Sequence, residues 1–207
     1  MSRGRVRAYV GLGANVGDAE RTLAAAVRAL AVLPDVRLRG VSRLYATAPV
    51  GVTDQAEFRN AAVAIDVPAG PDPSTSAIAL LAALKTLERA FGRRERERWG
   101  PRELDLDLLI FGRSSLAVER PAKARSLDAD LDPAKRAKLL EVPHPAAAER
   151  LFVLAPLADI APRLVPPGWH ETVASARRRR ETAGGPGAVR PVGTWDPSSR
   201  AWRAASD

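Results

Sequence analysis

A chain of 207 residues, 46% of them hydrophobic, can bury a core of its own, which excludes disorder throughout. Its formal net charge of +8 and sequence pI of about 10.8 favour anionic partners such as nucleotides, nucleic acid or acidic surfaces. The absence of cysteine excludes disulfides, thiolate zinc sites and a cysteine nucleophile.

Val6, Ala8, Val10 and Leu12 alternate with Arg7, Tyr9 and Gly11, the period-2 pattern of a strand. A turn over residues 13–18 leads into a helix with Asp18 as its N-cap, with Leu23, Val27, Leu30 and Ala31 as its apolar stripe and Pro34 as its stop. Residues 36–45 read as a second strand. Residues 46–55, with Pro49, Gly51 and Asp54, read as a loop, and 60–67 as a third strand. After a Pro/Gly/Ser linker over 68–76, Leu80, Leu84, Leu87 and Phe91 mark a helix over 76–91 that Gly92 stops. Residues 104–111 are a short apolar run bounded by Gly112, which suits a buried strand. A polar connection over 113–141 holds a short helix at 133–140. Further helices are expected at 145–157 and 171–181. Past Ala183 the chain is rich in Gly and Pro, and residues 192–195 and 201–203 flank Asp196-Pro197-Ser198-Ser199 as a hairpin would. Residues 1–182 form one domain and 183–207 a C-terminal extension on this reading. The order strand, helix, strand, strand, helix, strand fits an α+β, ferredoxin-like antiparallel sheet with helices packed on it as a three-layer sandwich.

The densest chemistry lies in Arg98-Trp99-Gly100-Pro101-Arg102-Glu103-Leu104-Asp105-Leu106-Asp107. Residues two apart on a strand share a face, so Asp105 and Asp107 project together from a surface otherwise built of leucine. Two adjacent anions repel and resist desolvation. A divalent cation removes that cost, and hard oxygen donors suit Mg²⁺. The window 93–102 holds arginines at 93, 94, 96, 98 and 102, whose forked donors suit phosphate oxygens. Taken alone, an Asp-x-Asp is often a solvated strand end, and an arginine loop often a solvated surface. Gly11-x-Gly13 mimics part of a dinucleotide fingerprint, but the next glycine is one position late, at Gly17, and Glu20 is too near to serve a ribose.

Four stretches, in order, resemble the 6-hydroxymethyl-7,8-dihydropterin pyrophosphokinase family of folate synthesis. They are Tyr9-Val10-Gly11-Leu12-Gly13-Ala14-Asn15-Val16-Gly17-Asp18; Tyr45-Ala46-Thr47-Ala48-Pro49-Val50-Gly51 with Phe58-Arg59-Asn60-Ala61-Ala62; Leu87-Glu88 through the Arg-Trp-Gly-Pro-Arg and Asp-x-Asp segment; and Val142-Pro143-His144-Pro145 with Glu149-Arg150 and Phe152-Val153-Leu154-Ala155-Pro156-Leu157. The resemblance spans about residues 6–175. It implies transfer of the β,γ-diphosphoryl group of ATP to the 6-hydroxymethyl oxygen of the pterin, with release of AMP. It also implies two Mg²⁺ ions on Asp105 and Asp107, one bridging the α- and β-phosphates and one the β- and γ-phosphates. Arg93, Arg102, Asp105 and Asp107 are the implied catalytic group. Glu88, Arg98, Arg102, Leu108, His144 and Arg150 are the implied ATP contacts. The pterin, a flat heterocycle with an amide-like edge, is implied to lie between Trp99 and Phe152, with Asn60 on its edge and backbone contacts from Thr47, Ala48 and Val50. Residues 93–98 are expected to close over the phosphates.

This sequence departs from the family pattern in several places. Glu95 interrupts the loop arginines, so Arg93, Arg94 or Arg96 serves the transition state. Ala48 stands where a second proline is common, Lys85 where an adenine-facing polar residue is often found, and the 113–141 connection is long. Two other readings remain open on the residues themselves: a two-metal nucleotidyl- or glycosyltransferase, which would not release AMP, and an RNA-binding module, which needs exposed aromatics on strands that a 5% aromatic chain supplies poorly. No apolar run approaches the roughly 18 residues of a membrane span, and the basic N-terminus lacks a following apolar core. The expectation is a cytoplasmic monomer acting on small molecules, with no nucleic acid or membrane partner.

Overall fold

The computed structural model describes residues 4–49, 54–93, 100–121, 137–184 and 189–204. Strand β1 (Arg5–Ala14) is an inner strand, one in from an edge of the sheet. It pairs antiparallel with β4 (Phe58–Pro68) on one side and with β5 (Asp105–Phe111) on the other. Helix α1 (Ala19–Ala31) starts where the Asp18 side chain accepts the Arg21 N–H at 3.0 Å. Helix α2 (Pro73–Ala90) starts three residues earlier than expected. Asp72 caps it by accepting the Thr75 N–H at 2.9 Å, and Pro73 suits the first turn, where no N–H is needed.

Residues 36–45 are two strands rather than one, β2 (Arg37–Val41) and β3 (Leu44–Thr47), both paired with β4. The break falls at Ser42. Its backbone N–H still donates to Ala62 O at 2.9 Å, but its hydroxyl takes the Ala62 N–H at 2.8 Å and donates to Arg43 O at 2.7 Å, so the side chain stands in for a strand acceptor. Strand β3 also carries Ala46 and Thr47, for which local composition predicts a loop.

The connection after β5 holds β6 (Leu116–Glu119) and β7 (Lys138–Val142), paired with each other. The helix expected at 133–140 is therefore a strand over its described C-terminal part, because the partner strand supplies hydrogen bonds that local propensity does not weigh. The segment 145–157 is likewise not one helix. A 3₁₀ turn (Ala147–Glu149) precedes Arg150 in extended conformation, and α3 (Leu151–Ile160) follows, with Pro156 inside it. Helix α4 (Val173–Gly184) begins two residues later than expected. Strands β8 (Val189–Asp196) and β9 (Ala201–Ala204) form a hairpin that joins the sheet through β3.

Among the described residues, seven strands make one sheet in the order β5-β1-β4-β3-β8-β9, with β2 also on β4. Val10, Leu12, Val63, Leu106 and Leu108 pack with Leu23, Val27 and Leu30 of α1 and Leu84 of α2. Burying each such side chain contributes about 1.5–3 kcal/mol before ordering costs. A second cluster joins Leu109 and Ile110 of β5 to Leu154 and Leu157 of α3 and Val173 and Ala176 of α4. The result is α+β, with helices on both faces of the sheet. No helix among the described residues is long and apolar enough to cross a membrane.

Candidate active site

The site lies where β1 ends. In the antiparallel ladders Gly13 faces Asn60 of β4 on one side and Asp105 of β5 on the other, and Gly11 faces Asp107. Paired residues share a face, so both carboxylates and the Asn60 amide open on the same side of the sheet. The burial of β5 alternates as expected, with Leu106 and Leu108 in the core and Asp105 and Asp107 half-buried. A cleft of about 930 Å³, its open mouth included, is lined by Gly13, Thr47, Ala48, Phe58, Asn60, Gly100, Arg102, Asp105, Asp107, Arg150 and Phe152.

One wall of the cleft is amide-bearing and apolar. Asn60 Nδ2 donates to Thr47 Oγ1 at 2.8 Å, and both residues are buried. That bond fixes the amide plane. A Cβ on Gly13 would stand 3.3 Å from Asn60 Oδ1, so the missing side chain leaves that oxygen room. Phe58 and Phe152 supply aromatic surface, and the Arg150 guanidinium lies 5.7 Å over the Phe152 ring.

The other wall is ionic. Arg93 places one guanidinium nitrogen 2.5 Å from Asp105 Oδ1 and 2.6 Å from Glu88 Oε1. Burial pushes the Asp105 carboxyl up, but the charges of Arg93, Lys85 and Arg102 outweigh it and hold the group below its ordinary value. Asp107 goes the other way: burial, and then the charge of Asp105, push its carboxyl up. His144 is set by a backbone bond from its N–H to Leu109 O at 2.8 Å, beside the bulge that shifts register between Leu108 and Ile110. Its Nδ1 accepts the Ala146 N–H at 3.2 Å, so a neutral ring carries its proton on Nε2. Burial lowers the His144 imidazole from its ordinary value, and the Asp107 charge opposes this only in part.

Glu88, expected against ATP, is 2% exposed and braces the edge of β5. Its Oε1 accepts the Leu106 N–H at 2.7 Å and Lys85 Nζ at 2.7 Å, while Lys85 also donates to Leu106 O at 3.1 Å. The α2 side chains thus act as a neighbouring strand for the outer edge of β5. The Leu108 side chain is in the core, so it can serve a ligand only through its backbone. Val50, Arg94, Arg96, Arg98 and Trp99, and most of the expected closing loop, lie outside the described residues. Sequence reasoning missed Phe58, Gly13 and Gly100 as cleft residues. Phe58 was legible as the same-face neighbour of Asn60 two positions on; Gly13 had no signal until the strand register was known.

The donor set suits a hard divalent cation. Two half-buried carboxylates adjoin on one strand face, and a guanidinium already stands against one of them. Among the described residues no group of three or more His, Cys, Asp or Glu forms a cage. An ion held here would draw its remaining ligands from substrate oxygens and water, as Mg²⁺ does on phosphates.

The profile of the 7,8-dihydro-6-hydroxymethylpterin-pyrophosphokinase family matches residues 9–162. The chain belongs to this family. It is 40% identical over 178 residues to the 2-amino-4-hydroxy-6-hydroxymethyldihydropteridine pyrophosphokinase of Methylorubrum extorquens, covering 86% of this chain and 96% of that one. The Bacillus subtilis protein of the same name is 40% identical over 153 residues, covering 74% and 77%. The one from Pseudomonas aeruginosa is 39% identical over 165 residues, covering 79% and 86%. In three dimensions the chain superposes on the Plasmodium falciparum HPPK-DHPS crystallised with pteroate with a TM-score of 0.69 at 14% identity. That alignment covers 99% of this chain and 48% of the larger one, and it bears on the fold alone.

Proposed function

We propose that the chain transfers diphosphate from ATP to 6-hydroxymethyl-7,8-dihydropterin, giving AMP and the dihydropterin diphosphate. The observation that carries this reading is the juxtaposition across Gly13: an amide-bearing, aromatic recess opens beside a paired carboxylate and two arginines in one cleft. Asn60, oriented by Thr47, reads the pterin's amide-like edge with one acceptor and its remaining donor, and Ala48 and Val50 add backbone contacts. Phe58, Phe152 and Trp99 sandwich the ring. Arg102, Arg150 and Arg98 hold phosphate oxygens, with His144 Nε2 as a further donor. By the period of the strand, the Leu108 backbone faces outward at the sheet edge as Leu106 does, and offers the nucleotide base a strand-like partner.

In the reaction the pterin hydroxyl oxygen bonds to the β-phosphorus, the bond from that phosphorus to the α-phosphate oxygen breaks, and AMP leaves. The hydroxyl proton goes to solvent. Two Mg²⁺ ions on Asp105 and Asp107, when bound, neutralise the charge that grows on the phosphoryl oxygens. The protein's own work is to orient the hydroxyl in line and to keep cationic groups preorganised around the polyphosphate. Among the described residues Arg93 is the loop arginine that stands against the acidic pair, and it is assigned to the transferring group.

Incubation with Mg-ATP and 6-hydroxymethyl-7,8-dihydropterin tests the reading. AMP should appear in step with the pterin diphosphate. Release of pyrophosphate or ADP, or no turnover, refutes it.

A further inference from the structure

Asn15 follows β1 directly and is 7% exposed, a small buried polar residue between two loops. The ladder between β1 and β5 ends at Gly13 and Asp105. Past that point Asn15 itself takes over. Its backbone N–H donates to Arg102 O at 3.0 Å, and its side-chain Oδ1 accepts the Arg102 N–H at 2.7 Å. One residue therefore clasps both backbone polar groups of Arg102, which lies outside any strand. The other half of the amide turns the opposite way. Nδ2 donates to Gln55 Oε1 at 2.9 Å and to Ala56 O at 3.1 Å, just before Phe58 and Asn60.

We infer that Asn15 is a positioning residue: it fixes the Arg102 backbone and ties that phosphate-side segment to the 55–56 segment on the pterin side. The inference rests on the reaction proposed above. Asparagine suits the task because one short side chain supplies an acceptor and a donor pair pointing apart. Aspartate keeps the acceptor and loses the donors. Alanine loses both. Gln55→Ala removes one partner on the pterin side and leaves the Arg102 clasp untouched. Each side-chain bond is part-buried between segments with few ladder bonds of their own, so its loss frees a wall of the cleft instead of a surface rotamer.

The test compares the unmodified chain with Asn15→Ala, Asn15→Asp and Gln55→Ala. The readouts are kcat, the separate KM values for ATP and pterin, the melting temperature, and hydrogen exchange at the Arg102 amide. Asn15→Ala should lower kcat/KM for both substrates by about tenfold or more and speed exchange at the Arg102 amide. Asn15→Asp should keep that amide protected and leave the ATP KM within about twofold, while raising the pterin KM by about three- to tenfold. Gln55→Ala should shift the pterin KM the same way and the ATP KM hardly at all. If the unmodified chain turns over and Asn15→Ala keeps both KM values and its Arg102 protection, the inference fails. It fails equally if all three variants lose kcat only in proportion to their melting temperature. If the unmodified chain yields no AMP, the proposed reaction fails, and amide protection in the Ala and Asp variants still decides whether Asn15 holds Arg102.

Discussion

Replacing Glu88 with alanine perturbs the strand that carries the acidic pair without touching either carboxylate. The Glu88 carboxylate is 3% exposed and its Oε1 receives three donors. Without it the Leu106 N–H is buried and unpaired, which costs about 1–3 kcal/mol. Lys85 and Arg93 also lose a partner, but their side chains are 37% and 24% exposed, so water recovers part of that loss. Each contributes about 0.5–1 kcal/mol on that basis. One buried methylene adds about 0.8 kcal/mol. The sum is roughly 3–6 kcal/mol, or on the order of 10 °C in melting temperature for a chain of this size. Glu88→Gln retains an acceptor for the Leu106 N–H and should lose less than half as much. Because Leu106 sits between Asp105 and Asp107, kcat should fall in both variants, and further in the alanine one. Urea unfolding of the three proteins, extrapolated to water, gives the comparison. An alanine variant within about 1 kcal/mol of its parent would show that α2 does not brace β5, and the reasoning would be refuted.

Asp107→Asn should cut turnover by about a thousandfold or more, since it removes half of the proposed metal-binding pair. It should raise the melting temperature of the ligand-free protein by a few degrees by relieving repulsion with Asp105, and a variant that keeps its rate excludes Asp107 from the chemistry. Gly13→Ala places a Cβ 3.3 Å from Asn60 Oδ1 and should raise the pterin KM several-fold while leaving the ATP KM alone; equal changes in both would sink the assignment of Asn60 to the pterin. The Tyr45 hydroxyl is pushed up to about 12, first by burial and then by the adjacent Asp159 carboxylate. The folded state therefore holds this proton more tightly than the unfolded chain. The stability it contributes is complete below about pH 10 and is lost as the pH rises toward 12. Tyr45→Phe should flatten the fall in unfolding free energy across that window, and phenolate absorbance should assign the titration to Tyr45.

The local elements were legible because short-range physics sets them. Alternation marked β1, a short apolar run closed by Gly112 marked β5, Asp18 marked the start of α1, and the Asp-x-Asp spacing put both carboxylates on one face before any contact was known. The Arg-Trp-Gly-Pro-Arg signature carried the family. The misreadings share one cause. Ser42 divides β2 from β3 by side-chain bonds to Ala62 and Arg43, and β7 is a strand because β6 pairs with it. Both depend on partners distant in sequence, which periodicity within a window does not register.

Residue identity fixed which groups could do chemistry: carboxylates for a cation, guanidinium groups for phosphates, one amide for a heterocycle edge. Tertiary structure alone decided where they meet. The register of three strands sets Asn60 and Asp105 on either side of a glycine, and the tertiary fold brings Glu88 against the Leu106 N–H and Asn15 against Arg102. Pairing register is settled by burial of the whole sheet face at once, and a slip of one residue would send Asp105 and Asp107 into the leucine core.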